Sequence, residues 1–169
     1  STYYVDSVIN PLLDSEGNLI EYIAIRHDIT QHEEIKNDLK EYKHTIDISD
    51  IVSKTDKNGV ITYVNDKFCD ISGYTREELI GKTHSILRHS DMESSVFTDL
   101  WKTIKVDKKP WFGTIKNRSK NGSSYYVDSI INPLLDSEGN LIEYIAIRHD
   151  ITRHEEIKND LKEYKHTID

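Results

Sequence analysis

The sequence predicts an α+β fold: a five-stranded antiparallel sheet with short helices on one face, plus linker helices and an extra N-terminal hairpin. Three observations carry this. Residues 1–47 return at 123–169 with only three changes, Thr2 to Ser124, Val8 to Ile130 and Gln31 to Arg153. Each copy runs at a strand period of two and then switches, at a threonine, to a helical period. The unduplicated middle opens on two short strand-like stretches and continues into several short helical ones, so the helices fall between strands and cover one face.

Tyr3 to Leu12 is rich in Tyr, Val and Ile, and Asp14-Ser15-Glu16-Gly17 supplies a turn before Leu19 to Ile25 returns. This hairpin is marginal alone and needs a sheet to join. Thr30 with Glu33 fits a capping box, in which each side chain satisfies an orphan amide of the first turn. In the helix that follows, Ile35, Leu39, Tyr42 and Ile46 lie four, three and four apart. That narrow stripe packs on its own domain or forms a coiled-coil linker.

Val52 to Thr55 and Val60 to Asn65 read as strands around Lys57-Asn58-Gly59, where Asn-Gly predicts a hairpin with both residues at positive φ. Asp66 to Gly81 reads as two short helices separated by Ser72-Gly73, the second opened by a capping box of Thr75 and Glu78. Lys82 to Ser90 shows no period. Glu93 to Lys105 is helical, with Val96, Phe97, Leu100, Trp101 and Ile104 on one face. Pro110 opens the strand WFGTIKNRS, Asn121-Gly122 turns it into the second hairpin, and Thr152 with Glu155 repeats the helix start. The expected segments are residues 1–29, a linker helix 30–48, a complete domain 49–152 and a second linker helix 153–169.

Acidic residues outnumber basic ones 30 to 22, and the lysines are scattered among acids, which argues against a phosphate-tracking surface and against nucleic acid. The single cysteine, Cys69, excludes an intramolecular disulfide and a multi-cysteine metal site, and suits a reducing, cytoplasmic compartment. No apolar run reaches membrane-spanning length, so no membrane contact by this segment is expected. Beginning mid-pattern, the chain reads as a piece of a longer protein. His27 with His32, and His149 with His154, are spaced so that the two rings do not share a face, and no metal is expected. His84 and His89 lie near the expected cleft, without the Cys-x-x-Cys-His of an attached haem. Gly-x-Ser-x-Gly, a phosphate-cradling glycine loop and kinase motifs are absent, and no enzymatic activity is expected.

The DKNGVITYVND opening, the FCDISGYTREELIG stretch and the closing Asp150-Ile151-Thr152 follow one another over Ile51 to Thr152 in a way that resembles a PAS domain, the small sensor module of signalling proteins. Residues 1–30 resemble the last two strands of a preceding copy. The true period therefore runs from helix to helix, and the chain resembles part of a tandem array. Within the family it is most similar to the flavin-binding PAS domains of aerotaxis receptors. Those carry an Arg-His-Pro-Asp-Met-Pro run, a Phe-x-x-x-Trp pair and a Pro-Trp-x-Gly strand leading to Lys-Asn-Arg. Here they stand as Arg88-His89-Ser90-Asp91-Met92-Glu93, Phe97 with Trp101, Pro110-Trp111-Phe112-Gly113 and Lys116-Asn117-Arg118. Ser90 and Glu93 replace both prolines of the first run, which removes two φ restraints from that loop. The resemblance implies a flavin adenine dinucleotide (FAD) cofactor, with Asn65, Arg88, His89, Asp91, Phe97, Trp101, Trp111 and Asn117 as the residues that bind it.

Residue chemistry alone leaves alternatives open. Arg88, His89 and Asp91 offer donors and acceptors for a flavin, or an ordinary ion pair in a surface loop. Trp101 and Trp111 stack on a ring or fill the core. Asn65 and Asn117 bond a ring edge, or Asn65 caps the next helix. Cys69 lacks the Asn-Cys-Arg-Phe context of light-sensing relatives. Two functions follow: a sensor that reads redox or oxygen status and signals through the helix after Thr152, or a ligand-free module used for dimerisation and assembly. A small-metabolite sensor is a third.

The expected partners are a second copy, as a homodimer or domain-swapped oligomer, and the adjacent PAS and output domains. The N-terminal hairpin is expected to dock on a strand edge, in place of Tyr125 to Arg148 of a neighbouring molecule, or against Ile51 to Asn117 of its own chain. An unbroken helix from Thr30 with the hairpin left in solvent contradicts all three.

Overall fold

The structure, a computed structural model, describes residues 2–168. Ser1 and Asp169, which bound the first and last expected segments, lie outside the described residues. In chain order the elements are β1 (Val5–Leu13), β2 (Leu19–Asp28), α1 (Thr30–Ser49), β3 (Ile51–Asp56), β4 (Ile61–Val64), α2 (Asp66–Ser72) and α3 (Arg76–Leu79). A 3-10 turn (His84–Leu87) follows, then α4 (Ser94–Trp101), which runs on as a wider π turn (Lys102–Val106). The chain closes with β5 (Trp111–Arg118), β6 (Ser124–Leu135), β7 (Leu141–Asp150) and α5 (Thr152–Ile168). It divides into two compact units between Thr45 and Ile46.

The larger unit is built on a five-stranded antiparallel sheet in the order β4-β3-β7-β6-β5. Alternation decides its buried face. Tyr125, Val127, Ser129 and Ile131 of β6, and Tyr144, Ala146 and Arg148 of β7, are buried at every second position. Phe68, Leu79, Leu87, Leu100 and Ile104 from the helical segments close that face. Each such side chain stabilises the fold by about 1.5–3 kcal/mol through burial.

In the smaller unit β1 and β2 pair only with each other, and every residue of both strands is exposed. α1 runs unbroken from Thr30 to Ser49. In the larger unit β6 is joined to β5 by a short turn, so closing that pairing costs little entropy. Ile35, Leu39, Tyr42 and Ile46 of the α1 stripe are all exposed.

Local chemistry accounts for most boundaries. Thr75 and Glu78 form the expected capping box, and Gly73 ends α2 in a left-handed conformation. Two expectations are corrected. In the Asp56–Gly59 turn only the glycine has positive φ, because Asp56 accepts from the amides of Asn58 and Val60 and so shapes the turn by itself. At the helix starts Thr30 and Thr152 do not cap their own helices. Asp28 and Asp150 accept from the threonine amides, and each threonine hydroxyl accepts from a backbone amide, that of Tyr4 just before β1 and that of Tyr126 in β6, both at 3.0 Å. The Asp-Ile-Thr motif is thus a clamp of helix onto strand.

Candidate functional site

A cavity of about 300 Å³ lies between the sheet and the segment from the 3-10 turn to the π turn. Its walls are largely apolar, with Phe68, Leu87, Phe97, Leu100, Ile104 and Ile131 among the lining residues. Polar groups converge from two strands and one edge: Ser53 of β3, Tyr144 and Arg148 of β7, and Arg88 with Asn117. An apolar cleft with a few placed polar groups is the usual form of a small-molecule site.

The structure brings four of the eight expected site residues to this cavity: Arg88, Phe97, Trp101 and Asn117. Arg88 and Asn117 are joined by an isolated antiparallel backbone bridge, which fixes the loop after the 3-10 turn against β5. The Arg88 guanidinium stacks over Phe97 at 4.1 Å from the ring centroid and donates to Ser94 Oγ at 3.2 Å. Trp101, at the end of α4, is 41 % exposed and packs edge-on to Tyr144, with ring centroids 5.9 Å apart. Its ring also lies against Gly59, where an added Cβ would come within 2.8 Å. The Asn-Gly turn therefore supplies both a positive φ and the room that Trp101 occupies.

The other four do not line it. Asn65 caps α2 through Oδ1, which accepts from Phe68 N and also from Val52 N, while Nδ2 donates to the carbonyls of Asp47 and Asp50. All its bonding capacity holds the end of α1 to β3 and α2. Trp111 is buried, donates from Nε1 to Asp99 Oδ2 at 2.8 Å, and folds over Gly113, where a Cβ would come within 2.4 Å of its ring. The Pro-Trp-x-Gly pattern thereby gains a packing reason. His89 bonds Ser124 Oγ through Nε2 and accepts from Asp91 N through Nδ1; Asp91 pairs with Lys116 at 2.6 Å. The Lys116 ammonium holds the Asp91 carboxyl below the usual range. These bonds tie down the loop that lacks the two prolines. The expected helix over Glu93 to Lys105 ends at Trp101, and the wider turn beyond it carries Ile104 into the cavity.

Residue reasoning placed His84 near the cleft but missed the rest of the inner wall. Arg148 Nη1 donates to Ser53 Oγ at 2.8 Å, and Ser53 Oγ lies 3.1 Å from His84 Nε2. Burial, and then the Arg148 charge, hold the His84 imidazole well below its ordinary pKa, so it is neutral. Burial likewise lowers Arg148, to about 10. The Tyr144 hydroxyl is buried without a hydrogen-bond partner among the described residues. A signal was present in EYIAIRHD, where Arg148 shares the period-two face of Tyr144 and Ala146. Cys69 is half-buried, burial pushes its thiol up, and it does not line the cavity.

The family model described as the PAS fold matches residues 61–148, just over half of the chain. The chain belongs to the PAS fold family. It is 41 % identical over 109 residues to the aerotaxis receptor of Escherichia coli, a match covering 64 % of this chain and 21 % of the receptor. It is 33 % identical over 101 residues to a nitrogen fixation regulatory protein of Klebsiella pneumoniae, covering 60 % of this chain and 20 % of that one. The chain thus spans about a fifth of the length of these curated relatives. A solved light-oxygen-voltage domain, described in connection with a flavin analogue, superposes with a TM-score of 0.61 at 20 % identity, over 74 % of this chain and 93 % of that one. At that identity the superposition speaks for the PAS fold. Among the described residues no helix is long and apolar enough to cross a membrane.

Proposed function

We propose that this chain is a sensory PAS module of a signal-transduction protein, that its cavity takes a flavin such as FAD, and that α5 carries the signal onward. The observation that carries the reading is the cavity itself, kept open with convergent polar groups at its inner wall and at the Arg88–Asn117 edge. The residues fit a planar aromatic ring: apolar walls, aromatic rings from Phe97 and Trp101, and an orphaned Tyr144 hydroxyl to meet a polar ring edge. Arg88, Phe97, Trp101 and Asn117 would hold it, with Asn65, His89, Asp91 and Trp111 supporting the frame. When bound, a flavin supplies reversible electron uptake. The similarity to an aerotaxis receptor and a nitrogen fixation regulator supports a redox or oxygen stimulus.

The chain's own residues provide the route outward. Arg148 lines the cavity, Asp150 two positions on accepts from the first amide of α5, and Thr152 clamps that helix to β6. A changed occupant that shifts β7 shifts the start of α5, a two-state bias of the kind that ligand switches use. We assign residues 1–29 to the end of a preceding PAS copy, 30–48 and 153–169 to linker helices, and 49–152 to the complete domain, in a cytoplasmic array with adjacent output domains and no catalysis of its own. An absorption spectrum of freshly purified, unheated protein is expected to show flavin bands, or to gain them on reconstitution with FAD; the absence of both overturns the flavin.

One observation favours part of the assembly reading. The stripe Ile35, Leu39, Tyr42 and Ile46 is exposed along α1, as a coiled-coil seam is before its partner arrives. We infer that α1 pairs with a second copy. Leu39→Asp is expected to shift the protein to monomer by light scattering without changing any absorption spectrum. A purely geometric module would fill its cleft with side chains, and the cavity speaks against that version.

A further inference from the structure

Arg148 sits on the inward face of a central strand and is 6 % exposed. Among the described residues its guanidinium makes one hydrogen bond, to Ser53 Oγ, and lies over the Phe68 ring at 5.8 Å from the centroid. Among the described residues it has no ion pair, and no carboxylate lines the cavity that it faces. Buried charges are ordinarily paired, because an uncompensated charge in a poorly polarisable surrounding is costly. The neighbouring imidazole, His84, stays neutral and supplies no counter-charge. The equivalent residue of the other copy, Arg26, is exposed, where water solvates it. The cavity therefore holds a fixed cation to which the described residues provide no counter-charge.

We propose that Arg148 is the charge-selecting residue of this cavity: its remaining N–H groups bind an anionic edge of the occupant, so that the site takes planar aromatic anions in preference to neutral aromatics of the same shape. The aromatic part of the assignment comes from Phe68, Phe97, Trp101 and Tyr144 around the same space. Ser53 positions the guanidinium from β3, and apolar walls make each charge-assisted bond stronger than it is in water. The proposal rests on the reading of this cavity as a ligand site, and not on the ligand being a flavin.

The test uses the full chain and two fluorescent probes that share a ring system and differ in one sulfonate: anionic 1-anilinonaphthalene-8-sulfonate and neutral N-phenyl-1-naphthylamine. Wild type is expected to bind the sulfonate about tenfold more tightly or better, as a charged hydrogen bond in a dry site provides. Arg148→Lys keeps the preference and Arg148→Met removes it, while Arg26→Met, in the exposed copy, leaves it unchanged. A wild type with no preference, or an Arg148→Met protein that retains it, overturns the proposal. So does a fall in the melting temperature of ligand-free Arg148→Met with the preference intact, the mark of a structural arginine. If Arg148→Met does not fold, as judged by tryptophan fluorescence, Arg148→Gln takes its place with the same expectations. FAD uptake, measured on the same preparations by absorption, separates the two readings: no uptake with the sulfonate preference intact overturns the flavin alone.

Discussion

Residues 2–46 and 124–168 differ at three positions, fold alike locally, and end in opposite surroundings. β1 and β2 pair from Val5↔Asp28 to a register shift between Leu12 and Leu13; β6 and β7 pair from Val127↔Asp150 to the same shift between Leu134 and Leu135. In both loops an aspartate, Asp14 or Asp136, accepts from the asparagine amide four residues on at 2.8 Å. Yet Tyr22 is 66 % exposed where Tyr144 is 3 %, and Val5 is 42 % exposed where Val127 is fully buried. Turn chemistry and strand register are therefore local properties of this sequence. Burial is not: it comes from β3 and β5, which only the second copy has beside it.

The sharpest way to break the comparison is a matched truncation. Tyr144→Ala is expected to cost about 3–5 kcal/mol, the range for emptying an aromatic site in a core, whereas Tyr22→Ala stays within about 0.5 kcal/mol. Urea unfolding followed by tryptophan fluorescence reads the effect of each change on the larger unit, where Trp101 and Trp111 lie. Equal effects would mean that the first hairpin is buried in solution.

A pH titration sharpens it from the cavity side. The first copy has no counterpart of His84, which burial and Arg148 keep neutral in the fold. Unfolded, the imidazole titrates near its ordinary value of 6.5. Below that pH the unfolded chain takes up a proton that the folded one refuses. Stability therefore falls as pH drops from about 7 toward 5, by up to about 1.4 kcal/mol per pH unit, and is unaffected by this group above 7. His84→Gln is expected to flatten the slope in that window; an unchanged slope would assign it to other groups.

The clamps provide a smaller pair. Thr152→Val removes the acceptor for Tyr126 N and is expected to cost about 1 kcal/mol in the same unfolding assay. Thr30→Val, which removes the equivalent bond to Tyr4 N, leaves the larger unit's transition in place. The smallest effect is expected from deleting residues 2–29, which should shift that transition by no more than about 0.5 kcal/mol, since all of both strands is exposed. A larger shift would show that the hairpin supports the sheet.

Much of the frame was legible in the residues. The two short helices, the Thr75–Glu78 box, the hairpins and the five-stranded sheet all follow from period, caps and turn residues, whose causes lie within a few positions along the chain. Half of the expected site residues reached the cavity. The others do not line it, for a physical reason: Asn65 and Trp111 carry polar atoms that are consumed by groups distant in sequence, the carbonyl of Asp47 and the carboxylate of Asp99 among them. Arg148 went unread because a charge in a strand looks solvent-facing until the strand's two faces are assigned.

The sequence by itself determined the alternation, the turns and the Asp-Ile-Thr clamps, and it repeated them nearly unchanged in both copies. Only the tertiary structure decided which copy is covered, which tryptophan packs inside and which lies over the cavity, and that one arginine of a duplicated pair is buried with no counter-charge among the described residues. The reason is range. Hydrogen bonds of turns and caps are made by neighbours, whereas desolvation depends on what else the fold brings near, and two equal sequences meet different neighbours.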